Sequence, residues 1–61
     1  MNDCQLVMKY LGVEGALDTL GYYILPRDAG FLVLDRKDDS VKALVDTVDG
    51  LYGFLEGIRA Q

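Results

Sequence analysis

The amino-acid sequence predicts a small α+β domain with elements in the order α-β-β-α. Three observations predict it. Apolar residues recur at helical spacing near the start and again near the end of the chain. Between them, "YYILPRDAGFLVLD", residues 22–35, places two β-rich runs on either side of a Pro, Asp and Gly turn. The polar segment "RKDDS" then separates that hairpin from the second helical region.

The first helix is expected over about 3–20. Leu6, Tyr10, Val13, Leu17 and Leu20 are spaced 4, 3, 4 and 3 residues apart, which puts them on one stripe. Asn2 with Gln5 three residues later resembles a capping box. Gly12 and Gly15 weaken the middle, so one bent helix and two short ones both fit. Gly21 is a natural stop.

The hairpin is expected over about 22–35, with Gly30 supplying a positive φ at the turn. Pro26 has no N–H to donate, which confines it to a strand end or an outward-facing edge. The second helix is expected over about 41–59, capped by Asp38, Asp39 or Ser40. Val41, Leu44, Val45, Val48, Leu51, Tyr52, Leu55 and Ile58 form its apolar side. Lys42, Asp46, Asp49, Gly53, Glu56 and Gly57 form the other.

The 61 residues suit one domain, residues 1–61. A chain this short buries only about 60% of the surface it exposes when unfolded and needs help to be stable. One cysteine, Cys4, allows no internal disulfide, and without histidine there is no Cys/His zinc site. Oligomerisation is the remaining help. The hairpin points the same way, because both of its faces are apolar. Tyr22, Ile24, Phe31 and Val33 share one face and Tyr23, Leu25, Leu32 and Leu34 the other. Two helices covering one face leave the other in water. Which face they cover is open, and helices straddling the hairpin in a monomer is the rival arrangement. The expected dimer completes a four-stranded sheet or stacks two hairpins, with Tyr22, Ile24, Phe31 and Val33 as the self-association residues.

Gly50, Gly53 and Gly57 interrupt the last helix. Either the helix breaks near Gly50, or the glycines form a flat contact surface among Asp46, Asp49 and Glu56. That surface suits a partner carrying Lys or Arg.

Composition narrows the function. Six basic residues against ten acidic ones give a formal charge of −4, a poor basis for gripping phosphate. This also weighs against base stacking on Tyr22 and Tyr23. Asp35, Asp38 and Asp39 lack the loop glycine of a calcium site and enclose Arg36 and Lys37. A Ser-His-Asp triad is impossible without histidine. No apolar run is long enough to span a membrane, and "MNDCQ" does not read as a secretory leader. The expectation is a non-enzymatic, cytoplasmic protein-binding or regulatory module. It acts as a homodimer, without cofactor, metal, nucleic acid or membrane. An acidic decoy that occupies a basic surface of another protein is the alternative, and a small-ligand carrier a further one.

Overall fold

The computed structural model describes residues 2–61, with side chains from Cys4 onward. Five elements follow in order: α1 (Asn2–Thr19), β1 (Tyr22–Arg27), β2 (Gly30–Asp35), β3 (Val41–Val45) and α2 (Val48–Arg59). The α+β class is as expected, but the sheet has three strands in the order β1-β2-β3, both pairs antiparallel.

α1 runs unbroken through Gly12 and Gly15. A Cβ on Gly12 would stand 3.1 Å from the Tyr52 hydroxyl, so this glycine lets α2 approach closely. The helix closes where the N–H groups of Leu20 and Gly21 donate to the carbonyls of Leu17 and Asp18, at 3.0 and 3.1 Å. Gly21 turns the chain at φ +94, in the left-handed region that favours glycine. The Asn2 half of the expected Asn2–Gln5 capping box lies outside the residues whose side chains are described.

β1 and β2 join through the two-residue loop Asp28–Ala29, with Arg27 opposite Gly30. Gly30 has φ +145, and a Cβ there would collide with the Val45 carbonyl oxygen and lie 3.1 Å from Asp46 Cα. It therefore serves two strands: it closes the hairpin and leaves room for the end of β3. Next to the sheet, the Arg36 N–H donates to the Gly21 carbonyl at 2.9 Å. Counting in twos from Gly21, Tyr23, Leu25 and Arg27 aim their backbone groups at β2. Pro26 falls at the odd step, so its nitrogen faces the open edge of β1, where no donor is needed.

β3 corrects the expected second helix. Val41–Val45 fits a helical stripe and a strand alternation equally, and the strand prevails because β2 offers an unpaired edge. Phe31, Leu32 and Val33 pair with Val45, Leu44 and Ala43. A bulge then sets Leu34 opposite Val41, with Lys42 as the extra residue. The helix starts only at Val48, and its cap is Thr47 rather than Asp38, Asp39 or Ser40. The Gly50 N–H donates to Thr47 Oγ1 at 3.1 Å. Asp49 in the first turn and Arg59 in the last complement the helix dipole.

Both helices pack on one face of the sheet. Val13 and Leu17 of α1, Ile24 and Val33 of the sheet, and Leu51 and Leu55 of α2 form the core. Tyr10 lies against Phe31 and Tyr22 against Phe54, with ring centroids 5.6 and 5.5 Å apart. The result is a two-layer slab of 37 × 26 × 15 Å.

Candidate functional site

The helices have chosen the face carrying Tyr22, Ile24, Phe31 and Val33. Ile24 and Val33 are buried in the core, and Tyr22 and Phe31 pack against it. These four residues are thus shielded within their own chain and are not the free self-association face. The reason is geometric: Ala43 and Val45 of β3 extend this same face, and both pack against the core.

The opposite face has no helix on it. Cross-strand partners share a face, so the register builds two rows across all three strands. One row is Tyr23, Leu34 and Val41; the other is Leu25, Leu32 and Leu44. All six side chains are apolar or aromatic. Leu44 is 61% exposed, Val41 57% and Leu25 37%, whereas Leu34 is buried at 7%. The Tyr23 hydroxyl donates to Asp39 Oδ1 at 2.8 Å, and this bond pushes the phenol above its ordinary range. The solvent-accessible surface, 4346 Å², exceeds the roughly 4,000 Å² expected of a folded monomer of this mass.

The three glycines of α2 have different surroundings. The helix does not break at Gly50. A Cβ on Gly50 would lie 2.8 Å from Val45 Cβ, so this glycine seats α2 on β3. Gly53 and Gly57 face open space, with nothing within 4 Å of such a carbon. Gly53→Ala and Gly57→Ala are each expected to raise stability by about 0.5–1 kcal/mol in urea unfolding. Gly50→Ala is expected to lose that increment to the Val45 contact.

The acidic residues do not act together. Asp49 is paired with Lys9 of α1 at 2.8 Å, a bond that raises the lysine pKa. Asp46 and Glu56 are exposed. Asp18 is paired with Arg36. Among the described residues, no group of three His, Cys, Asp or Glu side chains is placed to hold a metal ion, and no helix is long and apolar enough to cross a membrane. A shallow apolar groove of about 320 Å³ lies between α1 and the hairpin tip, lined by Leu6, Val7, Tyr10, Pro26, Phe31 and Val48. Comparison with protein-family models, with curated proteins and with solved structures returned no match.

Proposed function

We propose that the chain is a non-enzymatic protein-binding module that works as a homodimer. The observation that supports this is the uncovered sheet face, where two rows of apolar side chains cross all three strands. Leu34 is buried on this face, but Leu25, Val41 and Leu44 are exposed. Full burial of one large apolar side chain stabilises by roughly 1.5–3 kcal/mol, so leaving three of them in water forgoes much of what a small domain can gain. The partner surface is this face, and it suits an apolar protein surface better than a small molecule, which would need a deeper cavity than the groove beside α1. A lone cysteine suits the reducing cytoplasm, where we place the module.

The acidic-decoy reading rests on Asp46 and Glu56, which are exposed. It draws less support because Lys9 already holds the Asp49 carboxylate.

Sedimentation equilibrium from low to tens of micromolar tests the proposal. The expected result is a species of twice the 6.8 kDa chain mass. A single-chain mass throughout would overturn it.

A further inference from the structure

The dimer just proposed needs a place to form, and the outer edge of β3 has the features of one. β3 is a terminal strand of the sheet. Phe31 and Val33 turn their backbone groups toward β3, away from β1, so their partners Val45 and Ala43 bond inward and Leu44 faces outward. Among the described residues, no turn, loop or cap backbone group bonds to Leu44. The edge contains no proline, unlike β1. Val41, Lys42 and Leu44 are all exposed along it.

The charges along this edge are self-complementary. Lys42 stands two residues before Leu44, and Asp46 two residues after it. If two copies pair antiparallel about Leu44, each Lys42 meets the Asp46 of the other copy, on both sides of the two-fold axis. Shifting the axis to Ala43 places Lys42 against Leu44 and loses both charge pairs. Opposite charges across paired strands stabilise, and like charges destabilise. We infer that the chain dimerises through antiparallel pairing of β3 with β3 of a second copy, centred on Leu44, with Lys42 and Asp46 setting the register. The inference rests on the homodimer reading; it seats the second copy along the β3 edge that borders the open face and leaves the face itself for an apolar surface of another protein.

The test is charge reversal read by sedimentation, with circular dichroism to verify folding of each variant. Lys42→Asp and Asp46→Lys are each expected to weaken the dimer roughly tenfold, since each turns two attractive pairs into two repulsive ones. The combined variant is expected to return to within a few-fold of the parent. Leu44→Cys in a Cys4→Ser background is expected to give an oxidised, cross-linked dimer, and Leu25→Cys in that background is not. A parent dimer that ignores both single reversals, or that cross-links through Leu25→Cys alone, would overturn the β3 edge while leaving the homodimer standing. A parent that stays monomeric would remove both.

Discussion

Gly30→Ala is expected to remove roughly a third or more of the folding stability of the chain. Two effects combine at this residue. Its φ of +145 is a conformation that residues with a Cβ rarely adopt, and forcing one into it costs on the order of 1–3 kcal/mol. The added carbon would also collide with the Val45 carbonyl oxygen, a backbone atom that cannot rotate away. Relieving that collision means moving the end of β3 and the Phe31–Val45 pair with it. A total loss of roughly 3–5 kcal/mol is expected. A chain of this length has only about 3–9 kcal/mol to lose. Gly21→Ala is the control. Gly21 also has a positive φ, but nothing lies within 4 Å of a Cβ there. It is expected to cost about 1 kcal/mol. Thermal melting followed by circular dichroism would separate the two, and equal losses would show that the close approach of β3 is unimportant.

Leu51→Ala is expected to cost about 2–5 kcal/mol, the range for emptying a packed core position. Leu51 has no exposed surface and sits in the cluster that joins both helices to the sheet. The cavity would open between Val13, Leu17 and Val33, whose side chains have no exposed surface either. Val48→Ala is a milder comparison, because Val48 lies at the core margin, 8% exposed, and loses a smaller group. Urea unfolding at one fixed protein concentration is the measurement, since any dimer makes the midpoint depend on concentration. A loss for Leu51→Ala no larger than that for Val48→Ala would contradict the packing described.

The first helix and the hairpin were legible because their signals are local. Gly21 and Gly30 stand where the chain must take a positive φ, and both do so. Pro26 fell on an open edge, as its missing donor requires. Val41–Val45 reads as helix in the sequence and folds as a strand for a physical reason. Val41, Leu44, Val45 and Val48 match a helical stripe, while Ala43 and Val45 alternate as a strand does. The choice between them depends on a distant edge, that of β2, which the segment itself does not encode. Thr47 was the available clue: it is a good cap placed three residues before Gly50, and it marks where the helix begins.

The site was only half legible, because apolar residues line both sides of the hairpin. Strand periodicity separates Ile24 from Leu25 but cannot say which of them goes inward. That was decided by Val13, Leu17, Leu51 and Leu55, which reach the sheet from far along the chain. The surplus of apolar surface was readable; its address was not. The acidic group was likewise split by a contact between distant residues, Lys9 with Asp49.

The absent donor at Pro26 has a bearing on what happens at high concentration. A sheet able to recruit neighbours along both margins would go on adding molecules into fibrils. Here the margin beyond β1 offers a newcomer a gap in its ladder, while the margin beyond β3 is consumed once a twin has joined. In the proposed dimer, growth by that route therefore halts at a pair, and a concentrated solution is expected to stay clear.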